Sequence, residues 1–195
     1  MKILNILIAA VGLGAIAAPA GAQYVNPQDK FVQAVKDRDG TKAMEALNDS
    51  PTGVLNARDG EGNTPLLIAI ARSDGEWTPF LISKGADVNL PGKGGDTPLI
   101  AAARVGYLDA VEWLLKAGAQ VDQDNRMGET PLIVAVQQRQ LPIVKLLLDV
   151  GANPDKPDSA AGYSARDYAT RDTRSRRLLQ MIEAKKPKPT SAAAR

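Results

Sequence analysis

The sequence predicts an all-α protein built as a solenoid of about five helix–turn–helix repeats. Three segments of similar sequence follow one another at a constant spacing of 33 residues, and each contains Thr-Pro-Leu, a later apolar run and a closing Gly-Ala. A constant period of this length is the signature of a repeat array. The composition agrees with it, since 44% of the residues are hydrophobic but only 4% are aromatic, which suits thin, closely stacked helices.

The first segment, residues 1–22, has the pattern of a cleaved signal peptide. Lys2 gives it a positive start, residues 3–18 are apolar except for Asn5, and the segment ends in Ala-Gly-Ala, which fits a signal peptidase site. An uncleaved membrane anchor is the alternative, but the apolar run is shorter than the roughly 20 residues that a span needs. The short leader is typical of a bacterial chain, so we expect export to the periplasm.

The rest of the chain divides at the repeat spacing. Two short amphipathic helices joined at Asp39-Gly40 lack the Thr-Pro-Leu motif, as expected of a terminal repeat whose outer face meets water. The predicted units are a lead at 23–28, an N-terminal capping repeat at 29–58, full repeats at 59–91, 92–124 and 125–158, a C-terminal capping repeat at 159–185 and a disordered tail at 186–195.

Each full repeat carries its own helix signals. A Thr can cap the first helix, the following Pro occupies a position that needs no N–H, and a Gly ends the second helix. Pro79 lies further into the second helix of its repeat than Pro142 does, so we expect that helix to start late, with Thr78 as its cap. The signals are Thr64-Pro65 and Gly85, Thr97-Pro98 and Gly118, and Thr130-Pro131 and Gly151.

These residues resemble the ankyrin-repeat family, and the resemblance covers roughly Asp29 to Lys185. It implies β-hairpin tips in front of the helix pairs and a concave surface that binds another protein. The chain departs from the family's Thr-Pro-Leu-His pattern, because Leu67, Ile100 and Ile133 stand in place of histidine. This departure exchanges side-chain hydrogen bonds between neighbouring turns for apolar contact.

The resemblance also assigns partner-binding positions at the tips and at the exposed ends of the first helices. The mixture of Arg, Met and aromatic residues there is typical of protein interfaces, although any repeat must also have solvated residues. We expect reversal of Arg72, Arg104 and Arg126 together to abolish binding and leave helicity intact. The candidates are Glu61, Asn63, Arg72, Lys93, Asp96, Arg104, Val105, Tyr107, Arg126, Met127, Glu129, Gln137 and Gln138.

Composition excludes several classes of function. The chain has no cysteine and no histidine, so it can form neither a disulfide framework nor a Cys/His metal site, and the commonest general base is missing. No nucleophile stands in a recognisable catalytic pattern. We therefore expect a monomeric binding protein that is not an enzyme, holds no cofactor or metal and does not bind nucleic acid.

The basic C-terminal end supports an alternative function. Residues 171–195 contain eight Lys/Arg and two Asp/Glu, whereas the preceding chain carries a net charge of −4. This end could bind anionic lipid or a polyanion. The simpler interpretation is a polar outer face on the last repeat followed by a solubilising tail. The cations concerned are Arg171, Arg174, Arg176, Arg177, Lys185, Lys186 and Lys188.

Overall fold

In the computed structural model, the described residues form ten helices that follow one another in five consecutive pairs. The structure describes residues 26–51, 53–174 and 176–184, so the predicted signal peptide and tail lie outside the described residues. The helices are α1 (Pro27–Asp37), α2 (Gly40–Asp49), α3 (Pro65–Ala71), α4 (Trp77–Ser83), α5 (Pro98–Val105), α6 (Leu108–Lys116), α7 (Pro131–Gln137), α8 (Leu141–Asp149), α9 (Ala165–Arg171) and α10 (Arg176–Glu183).

The helices form two layers, as the repeat pattern predicts. The first helices of the pairs, from α1 to α9, each contact the first helix of the next pair, and α4, α6, α8 and α10 stack in the same way behind them. Leucines at the 33-residue spacing fill the core between the layers and are at most 1% exposed. The prediction of a helical repeat solenoid is confirmed. These leucines are Leu66, Leu99 and Leu132 in the first layer and Leu81, Leu114 and Leu147 in the second.

The Thr-Pro-Leu motif starts the first helix of every full repeat. The hydroxyl oxygen of Thr97 accepts a hydrogen bond from the Ile100 N–H at 3.2 Å, and Pro98 occupies the first turn. Thr64 and Thr130 make the equivalent bonds. These bonds satisfy N–H groups that a helix leaves unpaired at its start. The motif therefore fixes where each inner helix begins and where the preceding tip ends.

The tips are tight turns, and no residue in the described ranges forms a β-strand. Two backbone hydrogen bonds close the tip of each full repeat, as from Gly92 N–H to Asp96 O and from Gly95 N–H to Gly92 O, both at 3.0 Å. Neighbouring tips stack closely: a Cβ on Gly128 would lie 2.4 Å from the Ser159 backbone nitrogen, and its φ of 74° favours glycine. The tips therefore form a continuous row along one edge of the molecule.

The predicted start of α4 is wrong. The helix begins at Trp77, its cap residue Glu76 makes no side-chain capping bond, and Thr78 is buried inside the first turn. The Asp74 carboxylate instead accepts hydrogen bonds from the Glu76 and Trp77 N–H groups, both at 3.1 Å. Pro79 is tolerated because the first turn of a helix needs no N–H donors.

Candidate functional site

One groove brings five of the thirteen predicted contact residues together. It has a volume of about 470 Å³ and runs between the tips of the first two full repeats and the exposed sides of α3 and α5. Its lining combines four apolar residues, Leu67, Ile68, Ala71 and Ala101, which are named its apolar floor, with glycines and polar or charged residues. We call it the concave groove. It is lined by Lys36, Asp59, Glu61, Asn63, Leu67, Ile68, Ala71, Arg72, Gly92, Lys93, Gly94, Asp96 and Ala101.

A second groove of about 500 Å³ adjoins the same tips and is more basic. Arg58, Lys93 and Arg126 contribute three cations to its lining, whereas Asp124 is its only acidic lining residue and already pairs with Lys156 at 3.2 Å. Lys93 lines both grooves. This second groove therefore presents a positive surface to the solvent.

Arg104 is not an unpaired surface cation. Its guanidinium donates two hydrogen bonds to the Asp96 carboxylate, at 2.8 and 3.1 Å, and one to the Glu129 carboxylate at 3.3 Å. The Asn125 amide donates to both carboxylates, at 2.7 and 2.9 Å. The hydrogen bonds to Asp96 raise the pKa of Arg104. The result is a hydrogen-bond network of Asp96, Arg104, Asn125 and Glu129 that joins two adjacent repeats.

Arg72 is also occupied within the molecule. It donates to the Lys36 and Val35 carbonyl oxygens, at 2.8 and 2.9 Å, at the C-terminal end of α1, and lies 3.6 Å from the buried Asp74 carboxylate. Cations stabilise the negative end of a helix. Arg72 therefore attaches the N-terminal capping repeat to the array. The predicted triple reversal is not a clean test of binding, because two of its three arginines hold the fold together.

Outside the concave groove, four of the predicted residues are exposed and have no such role. Val105 and Met127 are 44% and 50% exposed, which is unusual for large apolar side chains in this protein. Arg126 and Gln138 are exposed, and their side chains have no hydrogen-bond or ion-pair partner among the described residues. Exposed apolar groups beside unpaired cations are available to a protein partner.

The remaining predicted residues are partly covered. The Tyr107 hydroxyl is buried beside Gly75, its ring contacts Trp113 edge to face at 5.9 Å, and burial raises its pKa. Gln137 is half-buried and lines a separate cavity with Tyr168. The ring of Tyr107 can still border the concave surface, but its hydroxyl does not face a partner.

The sequence interpretation missed Arg58 and Lys36 as lining residues and overlooked the special position of Gly92. Comparison at the 33-residue spacing would have found the latter, since Asp59 and Asn125 occupy the equivalent positions in the neighbouring repeats. The lining roles depend on which neighbouring tip each long side chain contacts, and periodicity does not specify that.

The cations of the C-terminal repeat are only partly available. Arg171 lies over the Tyr163 ring at 3.9 Å, and Arg174 lies 3.6 Å from the Asp172 carboxylate, which also pairs with Arg139. Arg176 and Arg177 are exposed. The three predicted lysines of the tail lie outside the described residues.

Other classes of site find no support in the described part of the chain. Among residues 26–51, 53–174 and 176–184, no group of three or more acidic side chains is placed to hold a metal ion. None of the helices in these ranges is long and apolar enough to cross a membrane.

The geometry defines a class of protein, a stacked helical repeat scaffold with two grooves along its row of tips. A family model for ankyrin repeats, described as three copies, matches residues 31–125 and again residues 80–158, and these matches together cover more than half of the chain. The chain belongs to the ankyrin-repeat family. No curated protein matches it. Ankyrin repeats generally mediate protein–protein interaction, and the family is a non-enzymatic interaction module.

Proposed function

We propose that this protein binds a periplasmic or envelope protein on its concave face and carries out no catalysis. The observation that carries the proposal is the groove between the tips and the first helices, with unpaired Lys93 and Arg126 and exposed Met127 along the same row of tips. Because the side chains of Lys93, Arg126 and Met127 have no hydrogen bond or ion pair among the described residues, they can contact another protein without breaking a bond within the fold.

The location rests on the N-terminal segment alone. Residues 1–22 carry the basic start, apolar stretch and small-residue cleavage motif of an exported chain. The test is fractionation of bacterial cells that express the full chain, followed by mass determination of the product. A periplasmic product that begins at Gln23 supports export with cleavage, and a cytoplasmic product of full mass rejects it.

Site-specific photocrosslinking in cells tests the binding surface. A photoreactive amino acid replaces Met127 on the concave side or, as the matched control, Val150, which is similarly exposed at 47% but follows the second-layer helix α8. We expect a defined protein adduct from position 127 and none from position 150. Equal adducts from both positions, or none from position 127, would reject the concave surface.

The alternative, anionic lipid binding by the C-terminal end, takes second place. Arg171 and Arg174 contact Tyr163 and Asp172, which leaves Arg176 and Arg177 as the cations of the C-terminal repeat whose side chains have no hydrogen bond or ion pair among the described residues. This alternative predicts binding to vesicles of anionic phospholipid that weakens as salt rises and disappears when residues 185–195 are deleted. Binding that ignores salt and the deletion would exclude it.

A further inference from the structure

The first residue of a tip normally satisfies the backbone amides of that tip. The Asp59 carboxylate accepts hydrogen bonds from the Glu61 and Asn63 N–H groups, at 3.0 and 2.8 Å. In the third full repeat, the Asn125 side-chain oxygen accepts hydrogen bonds from the Met127 and Glu129 N–H groups, at 2.9 and 3.0 Å. The second full repeat, which lies between these two, has a different first residue. An acceptor at this position therefore serves two amides in each case.

The repeat between them has no such acceptor, because its first tip residue is Gly92. The equivalent N–H groups belong to Gly94 and Asp96, and neither has a hydrogen-bond partner among the described residues. The tip keeps the same backbone turn, with Gly92 N–H bonded to Asp96 O and Gly95 N–H bonded to Gly92 O, both at 3.0 Å. The two amides are therefore held in the same kind of turn but lack the acceptor.

Two residues of the concave groove closely border the place that a side chain on Gly92 would take. A Cβ on Gly92 would lie 3.0 Å from Leu67 Cδ1 and 3.3 Å from Asn63 Oδ1, and all three residues line that groove together with Gly94 and Asp96. Gly92 does not have the positive φ that favours glycine. The backbone conformation therefore does not require a glycine here.

The charges around this tip favour an incoming anion. Lys93 is exposed, and its ammonium has no hydrogen bond or ion pair among the described residues. The Asp96 carboxylate pairs with Arg104, which also pairs with Glu129. Two further acidic residues line the groove: Asp59 pairs with Lys36 at 2.9 Å, whereas Glu61, on the neighbouring tip, has no ion pair among the described residues and is the opposing charge. Two N–H donors beside an unpaired ammonium match the acceptor geometry of a carboxylate.

We propose that an Asp or Glu side chain of the bound protein inserts at this tip and accepts the hydrogen bonds of Gly94 and Asp96 N–H, with Lys93 beside it. The inserted carboxylate replaces the acceptor that Asp59 and Asn125 supply within the other tips. The apolar floor then contacts the neighbouring residues of an extended segment, which a small anion cannot exploit. This inference rests on the proposed binding function and specifies the partner's chemistry.

An NMR titration tests the proposal with defined probes. The probe is a short peptide with one Asp between two leucines, blocked at both ends, and its control has Asn in place of Asp. It is added to labelled protein purified from cells that express the full chain. We expect the Asp peptide to move the Gly94 and Asp96 amide proton signals downfield and to bind about tenfold more tightly than the Asn peptide.

Two substitutions of Gly92 separate the effect of an added acceptor from the effect of added volume. Gly92→Asn supplies an internal acceptor and should abolish the shifts, whereas Gly92→Ala adds the same Cβ without an acceptor and should retain them. Because the new Cβ lies close to Leu67, both are also made with Leu67→Ile, since Asn125 and Ile100 occupy the equivalent positions in the next repeat.

A further variant tests the charge around the tip. Glu61→Gln removes the opposing charge and should tighten binding of the Asp peptide severalfold.

The opposite results overturn the inference. Equal affinity for the two peptides, no shift at the two amides, or equal effects of Gly92→Asn and Gly92→Ala would each do so. Equal binding of acetate and the Asp peptide at the same concentration would reject a protein segment as the occupant. If photocrosslinking at position 127 still captures a protein, then the general binding function stands and only the carboxylate site fails.

Discussion

At the scale of single residues, the structure separates cations that hold the array together from cations that face solvent. The repeat pattern placed Arg72 and Arg104 at the exposed ends of first helices and Arg126 at a tip, but it could not predict their partners. Arg72 bonds to carbonyl oxygens that lie 36 and 37 residues earlier in the chain, and Arg104 bonds to Glu129 in the next repeat. Such contacts depend on the stacking of repeats and not on the pattern inside one repeat.

Charge reversal at two arginines measures this difference. Arg72→Glu removes two hydrogen bonds to carbonyls and places a carboxylate beside Asp74, so we expect it to lower the free energy of unfolding by about 2 kcal/mol. Arg126→Glu should change it by less than about 0.5 kcal/mol, because its side chain is exposed. Urea denaturation followed by circular dichroism gives both values. Equal losses would contradict the structural role of Arg72.

Asp158 makes stability depend on pH in the last repeat. Burial raises the pKa of this carboxyl, but hydrogen bonds from Tyr168 and from the Ala161 and Gly162 N–H groups outweigh burial and leave the pKa below its usual value. Because the unfolded chain then binds the proton more readily, the stabilisation is complete above about pH 5 and is lost as the pH falls below about 4.

Asp158→Asn should therefore cost stability at pH 7 and much less at pH 3. Urea denaturation of the wild type and the variant at both pH values gives the comparison. A difference between the two proteins that does not change with pH would show that the ionised carboxylate of Asp158 contributes nothing.

At the scale of elements, the sequence predicted what the repeat motif controls directly. The positions of the inner helices followed from Thr-Pro-Leu, because the capping Thr and the first-turn Pro act on the same few backbone groups in every copy. The start of α4 could not be predicted in this way. It depends on Asp74, whose place is fixed by a long-range contact with Arg38 at 3.1 Å and by a local contact with Arg72 at 3.6 Å.

Removal of one cap tests the role of the motif. Thr97→Ala deletes the acceptor for the Ile100 N–H in the buried centre of the array, so it should lower the free energy of unfolding by about 1 kcal/mol. Thr97→Ser keeps the hydroxyl and should recover most of that loss. If Thr97→Ser lowered the free energy of unfolding as much as Thr97→Ala, then the lost methyl group and not the capping bond would be the cause.

At the scale of the whole molecule, the two-layer stack and the grooved face follow from the repeat period. The sequence predicted the solenoid, since the period determines which residues fall at tips and which at helix ends, and the contact surface stays a prediction. The grooves themselves could not be predicted, because their shape depends on how far each tip side chain reaches over its neighbour. Gly92 is an example, because it has no side chain to accept hydrogen bonds from the Gly94 and Asp96 N–H groups.

The most direct test of the account compares two charge reversals for binding of the photocrosslinked partner. Arg126→Glu changes the row of tips and Arg176→Glu changes the start of α10, and both residues are exposed arginines in the described part of the chain. The account predicts that Arg126→Glu weakens the equilibrium affinity at least tenfold, while Arg176→Glu leaves it within about twofold. The reverse result would contradict binding on the concave face and would assign the partner to the basic C-terminal end.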